Sequence, residues 1–145
     1  MAKSTFSGPV VSQNGFIGNI DGAGVTTHSA TSAINATGTA SAAAVATGYI
    51  TSTSAAATTI TLPTGTALGA EIGAVKGTVL DLYIDNTGGA NTVTIAVNTN
   101  AILSTAAADT AGSFGDLTVA SGATGLARYT LMFSSPTAYV FTRTA

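Results

Sequence analysis

From Thr58 onward, apolar and polar residues alternate with a period of two in several short runs, the signature of strands with one buried face. Thr58-Thr59-Ile60-Thr61-Leu62 puts Ile60 and Leu62 on one side and stops at Pro63. Thr78 to Ile84 groups Leu80, Leu82 and Ile84, and Thr92 to Val97 groups Val93, Ile95 and Val97. Between these runs lies Asp85-Asn86-Thr87-Gly88-Gly89-Ala90-Asn91, rich in residues that tolerate positive φ, so the two runs read as a hairpin. Leu126 to Phe133 aligns Tyr129, Leu131 and Phe133, while Ala138 to Thr142 aligns Tyr139 and Phe141. Ser134-Ser135-Pro136-Thr137 joins them as a second hairpin.

Shorter signals fill the remainder. Leu117 and Val119 alternate with Asp116 and Thr118 before a turn at Ala120-Ser121-Gly122-Ala123; Ala101-Ile102-Leu103 is a brief apolar run, and Asp109 to Gly115 reads as a loop. Leu68, Ile72 and Val75 fall at helical spacing between Thr66 and Gly77, with Lys76 placed against the C-terminal dipole. Gly69 and Gly73 inside that segment each cost about 1 kcal/mol relative to alanine, so the helix is short. About seven or eight strands with frequent turns predict an all-β fold, an antiparallel β-sandwich or jelly-roll-like domain with one short helix and an extended N-terminal arm. A parallel α/β arrangement would require repeated amphipathic helices, and the chain offers one weak candidate.

Composition divides the chain near residue 57. Asp21 to Ala56 is nearly all Ala, Ser, Thr and Gly, with Val25, Ile34, Val45, Tyr49 and Ile50 as its larger apolar residues. By itself such a segment buries too little to offset a backbone ordering cost of about 1–2 kcal/mol per residue, so it needs a neighbour to order it. Residues 1–56 are therefore read as an extended low-charge arm and 57–145 as an antiparallel β-domain. Within the arm, Phe6, Pro9, Val10, Val11, Phe16 and Ile17 stand out as anchor side chains among turn residues. An extended arm of this kind can add a strand to a neighbouring sheet with little dependence on charge.

Charge is scarce: Asp, Glu, Lys and Arg make up 7% of 145 residues, against about 25% in ordinary soluble domains. A surface so poor in charge relies on hydroxyls and amides or lies against other chains, and this chain reads as part of an assembly. The net charge of -2 and four scattered basic residues (Lys3, Lys76, Arg128, Arg143) argue against nucleic-acid binding. No run reaches the roughly 18 apolar residues of a membrane span, and the N-terminus carries no apolar run of signal-peptide length.

Candidate chemistry is thin. The chain has no cysteine and one histidine, His28, which sits in the arm with little to orient it and is read as solvated or contact-forming. Asp81 and Asp85 share a strand face roughly 13 Å apart, beyond usual glycosidase separations. Asp85, Asn86 and Asn91 could offer oxygens to Ca²⁺ or serve as Asx-type turn residues. Asp21-Gly22-Ala23-Gly24 lacks the lysine and helix of a phosphate loop. Tyr49, Tyr83, Tyr129 and Tyr139 form either a carbohydrate platform or packing with each hydroxyl at the edge. These residues assemble no catalytic constellation, so the chain is read as no enzyme, with no cofactor and no metal site.

The opening Ser4-Thr5-Phe6-Ser7-Gly8-Pro9-Val10-Val11-Ser12-Gln13-Asn14-Gly15-Phe16 resembles the start of small structural proteins of tailed bacteriophages. Leu62-Pro63-Thr64-Gly65-Thr66-Ala67-Leu68-Gly69 and Asp85 to Thr94 resemble the β-domains of phage head decoration (cement) proteins and of some fibre or knob modules. The resemblance implies a virion protein, made in the host cytoplasm and carried on the outer capsid surface. It implies a homotrimer that binds the major capsid protein and holds capsomers together, with Phe6, Pro9, Val10, Val11, Phe16 and Ile17 as capsid or intersubunit contacts. The alternative it implies is a tail-fibre, spike or head-fibre knob that recognises a host receptor or glycan.

Overall fold

The computed structural model describes residues 30–103 and 117–145. From Ser32 the chain makes three successive passes, each laying one strand in each of two sheets. The first pass holds β1 (Ser32–Ala33), β2 (Gly38–Thr39) and helix α1 (Ala42–Ala46). The second holds β3 (Tyr49–Thr51), β4 (Thr58–Thr61) and helix α2 (Gly65–Ile72). In the third, β5 (Val79–Asp85) and β6 (Val93–Ala96) are followed by β7 (Ala101–Leu103) in place of a helix. β8 (Thr118–Val119), β9 (Leu126–Ser135) and β10 (Ala138–Arg143) complete the sheets.

Like positions of successive passes stack in parallel. In the first sheet Ser32 lies opposite Ile50 and Ile50 opposite Ile84; in the second Gly38 lies opposite Ile60 and Ile60 opposite Ile95. The six-stranded sheet runs β1-β3-β5-β9-β10-β7 and the four-stranded sheet β2-β4-β6-β8. Among the described strands antiparallel pairing joins β5 with β9, β9 with β10 and β6 with β8, and an isolated antiparallel bridge links Asn98 to Ala101. The expected antiparallel all-β sandwich or jelly roll is thus corrected to a mixed α/β arrangement of two mixed sheets with short helices. Residues 30–56 take part in it, because the second and third passes supply the neighbouring surface that this small-residue stretch lacks alone.

The expected hairpin between Thr78–Ile84 and Thr92–Val97 does not form. β5 pairs with β3 and β9, whereas β6 pairs with β4 and β8. The intervening loop crosses from one sheet to the other, and Asn86 at its start turns fully inward. Its amide donates to the carbonyl oxygens of Asn91 (2.8 Å), Val119 (3.2 Å) and Ala120 (3.0 Å), which ties the crossing loop to the strand next to β6. Alternation reveals which face of a strand is buried and is silent about its partner. The second hairpin does form, as β9 and β10, and buries Tyr129, Leu131, Phe133, Tyr139 and Phe141.

Both helices begin at hydroxyl caps: Ser41 accepts from the Ala44 amide and Thr64 from the Ala67 amide. Helix α2 stops before Val75, which is exposed, so the expected apolar stripe is carried by buried Leu68 and half-buried Ile72. Its two glycines have separate uses. Gly73 closes the helix at φ 62°, a left-handed cap. Gly69 lies directly on the Pro136 carbonyl of the β9–β10 turn, with the Phe133 ring beside it, and has no room for a methyl group. Alanine normally stabilises a helix interior relative to glycine by about 1 kcal/mol. Here Gly69→Ala is expected to lower stability by at least about 2 kcal/mol, because the added carbon forces helix and turn apart; denaturant unfolding of both proteins measures the sign.

Candidate functional site

The outer face of the six-stranded sheet gathers the side chains that the core leaves over. Strand parity turns Leu82 and Ile84 of β5 inward and Val79, Asp81, Tyr83 and Asp85 outward. On β9, Arg128, Thr130 and Met132 point out between buried Ala127, Tyr129, Leu131 and Phe133. Register then sorts these outward residues into rows. Val79 lies opposite Met132, Met132 opposite Val140 and Val140 opposite Ile102, so one apolar row spans four strands. At a spacing of about 4.8 Å per strand, the row is about 15 Å wide. Its members are 51%, 50%, 39% and 54% exposed.

Polar rows follow along the same face. Asp81, Thr130 and Thr142 form the next row, then Tyr49, Tyr83 and Arg128, then Thr51, Asp85 and Leu126. Arg128 Nη2 donates to Asp81 Oδ2 at 2.6 Å, and the Thr130 hydroxyl donates to Asp81 Oδ1 at 2.7 Å. The guanidinium carbon also stands 5.9 Å from the centre of the Tyr83 ring, and Tyr83 and Tyr49 stack at 6.3 Å. Tyr49 Oη donates to Asp85 Oδ2 at 2.8 Å, while Asp85 Oδ1 accepts from the Thr87 hydroxyl and amide.

These bonds shift the acids. The Arg128 guanidinium, helped by the Thr130 hydroxyl, holds the Asp81 carboxyl below the usual carboxylate range. Asp85 is lowered by the Thr87 hydroxyl and amide and by Tyr49, and the same bond to Asp85 raises the Tyr49 phenol. The Arg128–Asp81 side chains are 41% and 36% exposed, so solvent screening limits the pair to about 0–1 kcal/mol. The face therefore combines a pre-ordered polar cluster with an apolar row.

The four tyrosines divide. Tyr49 and Tyr83 lie on this face, whereas Tyr129 and Tyr139 are buried, with the Tyr139 hydroxyl donating to the Pro63 carbonyl at 2.8 Å. Asp81 and Asp85 share the outer face as expected, but Asp85 and Asn86 point to opposite sides of the sheet and Asn91 donates to the Ala55 carbonyl. The three residues weighed for Ca²⁺ thus do not converge. Among the described residues no group of three or more His, Asp or Glu side chains comes together, and no helix is long and apolar enough to cross a membrane. Phe6, Pro9, Val10, Val11, Phe16 and Ile17 lie outside the described residues, as do His28, Asp21-Gly22-Ala23-Gly24 and the Asp109–Gly115 loop.

The apolar row was not anticipated from sequence, although a signal exists. Leu131-Met132-Phe133 and Tyr139-Val140-Phe141 are unbroken apolar triplets, as is Ala101-Ile102-Leu103. In a sheet with one buried face the middle residue of such a triplet must point to solvent or to a partner. Comparison of the chain with protein-family models, with curated protein sequences and with solved structures gives no match.

Two measurements test this geometry. Depressed carboxyls contribute stability above the ordinary aspartate pKa of about 3.9, and lose it as pH falls from there through their lowered folded values. Unfolding free energy is expected to drop over that acid range, and Asp81→Asn with Asp85→Asn to flatten the drop. Asn86→Asp, which points a carboxylate at three carbonyl oxygens, is expected to cost about 3 kcal/mol or more at pH 7 in urea unfolding. Asn86→Ala, which leaves those carbonyls unbonded without adding charge, costs less.

Proposed function

We propose that this is a structural virion protein that binds the outer surface of a phage capsid and stabilises contacts between capsomers. The outer face of the six-stranded sheet is its seat. The observation that carries this reading is the Val79-Met132-Val140-Ile102 row, four half-exposed apolar side chains in one file across four strands. Contiguous apolar surface rimmed by polar residues marks interaction sites, because covering it recovers about 25 cal/mol per Å². The Asp81, Tyr83 and Arg128 rows beside it supply a polar rim that fixes orientation. Sparse charge elsewhere and the resemblance of the N-terminal stretch to phage structural proteins support the same reading. The major capsid protein is then the partner, and a homotrimer multiplies three modest contacts through effective concentration.

A second reading has one observation in its favour. The stacked Tyr49–Tyr83 pair, flanked by Asp85 and Arg128, is the chemistry of a sugar-binding platform, which fits a fibre or spike knob that recognises a host glycan. The two readings separate in a reconstitution. Purified protein is expected to add stoichiometrically to phage capsids assembled without it and to raise their resistance to heat. The double substitution Met132→Asp and Val140→Asp is expected to abolish occupancy while leaving the isolated protein folded by circular dichroism. Undiminished occupancy would remove the apolar row from the binding face. Binding to host cells with no capsid occupancy, lost on Tyr83→Ala, would replace this reading with the knob.

A further inference from the structure

Apart from two tyrosines, the polar side chains buried among the described residues are Ser52, Thr58 and Asn86. All three lie at the end of the sheets where the chain crosses between them: Ser52 just after β3, Thr58 at the start of β4 and Asn86 just after β5. The Thr58 hydroxyl donates to the Ala56 carbonyl at 3.1 Å. The other two each leave an oxygen over. Ser52 is 1% exposed and Asn86 0%, and neither Ser52 Oγ nor Asn86 Oδ1 has a hydrogen-bond partner among the described residues. Leaving a buried oxygen unpaired costs its full desolvation, and folded proteins do so rarely.

The two oxygens belong to neighbouring strands at the same level. β3 and β5 run parallel with Thr51 opposite Asp85, and the Ser52 amide carries the ladder one bond further by donating to the Asp85 carbonyl at 2.8 Å. The next opposed pair is therefore Ser52 and Asn86. Thr51 and Asp85 lie on the outer face, so by strand parity Ser52 and Asn86 both turn inward. Adjacent strands are about 4.8 Å apart, which brings the two side chains to one place in the interior. Gly89 closes that place on the loop side, where an added carbon would collide with Asn86 Oδ1.

We infer that Ser52 and Asn86 bind one ordered water molecule, which donates to Asn86 Oδ1 and bonds to Ser52 Oγ. The two side chains make no direct hydrogen bond to each other, and a single water inserted between them pairs both oxygens at once. Serine gives it room. The preceding inward residue of β3 is the bulkier Ile50, so the short serine leaves space beside the longer asparagine. Its hydroxyl can donate or accept, which suits a water in either orientation. A cation does not suit the site. Asn86 Nδ2 is engaged with the carbonyls of Asn91, Val119 and Ala120, while Asp85 points to the outer face toward Tyr49 and Thr87, so a buried positive charge would have no carboxylate to balance it. The water extends the Asn86 network to a third strand: β3 is joined through it to the side chain that already ties the crossing loop to β8.

A high-resolution crystal structure of the full chain tests the site directly. One density peak is expected between the two oxygens, about 2.5–3.0 Å from each. In solution, oxygen-17 relaxation dispersion counts long-lived internal waters, and Ser52→Val, whose methyl groups fill the space, is expected to hold one fewer than the unsubstituted chain. The crystal structure needs no substitution, so it decides the matter even where the valine variant fails to fold. Absence of the peak, whether or not the Ser52 hydroxyl bonds directly to Asn86 Oδ1, would overturn the inference. An unchanged water count in folded Ser52→Val would do the same. A peak that gives a rubidium anomalous signal after soaking marks a cation and overturns it too. Neither measurement involves a capsid, so the inference stands or falls apart from the proposed function.

Discussion

A strand built mostly from alanine, serine, threonine and glycine buries little by itself, so each pass of this chain is held by the pass beside it. The register that puts Ile50 on Ile84 and Ile60 on Ile95 makes two short apolar ladders, one on the inner face of each sheet. Both ladders belong to one buried core. The aromatic residues of β9 and β10 complete the core on one flank, with Phe133 and Tyr139 ring centres 5.2 Å apart. Helices α1 and α2 return the chain between passes, and the tight seat of Gly69 on the Pro136 carbonyl locks the second helix to the β9–β10 turn. Loss of register at one pass would therefore expose the inner face of the next.

The same stacking explains the poverty of charge and its uneven placement. On the outer face of the four-stranded sheet, Thr59, Thr94 and Thr118 lie side by side, and Thr39 lies beside Thr61. Threonine suits both requirements there: its branched carbon favours a strand and its hydroxyl meets water without a formal charge. The outer face of the six-stranded sheet follows a different plan. Asp81, Asp85 and Arg128 are concentrated on it together with two tyrosines and the apolar row. The two sides of the molecule are thus chemically distinct, one wetted by hydroxyls and the other suited to contact. The proposed capsid seat rests on that asymmetry.

Much of the inner face was legible in the chain. Of the residues read as facing one way in their strands, Ile60, Leu62, Leu82, Ile84, Val93, Ile95, Tyr129, Leu131, Phe133, Tyr139 and Phe141 are buried and Leu80 is partly so, whereas Val97, just past the end of β6, is exposed. Alternation suffices for this, because a side chain's face depends only on parity along its own strand. The β9–β10 hairpin was legible for a related reason: two long strands joined by a proline turn have few other ways to pair. The outward apolar row was half legible, as triplets whose middle residue had to point away from the core. The Asp85–Asn91 loop misled. A turn-rich linker between two alternating strands looks the same whether the strands pair with each other or diverge into separate sheets, and the difference lies in Asn86 finding three carbonyl acceptors in the interior.

By itself, then, the sequence determined where the longer strands after residue 57 lie and which of their faces are buried, and that charge is scarce. Both properties are local: parity is a matter of adjacent residues, and charge is a matter of composition. Tertiary structure alone decided that successive strands alternate between sheets and stack in parallel, that Gly69 serves close approach and Gly73 a left-handed cap, and that Val79, Met132, Val140 and Ile102 form one row. These depend on contacts between residues far apart in the chain. Pairing energy is nearly the same for many partners, so the choice among them is made only when all the inner faces are buried at once.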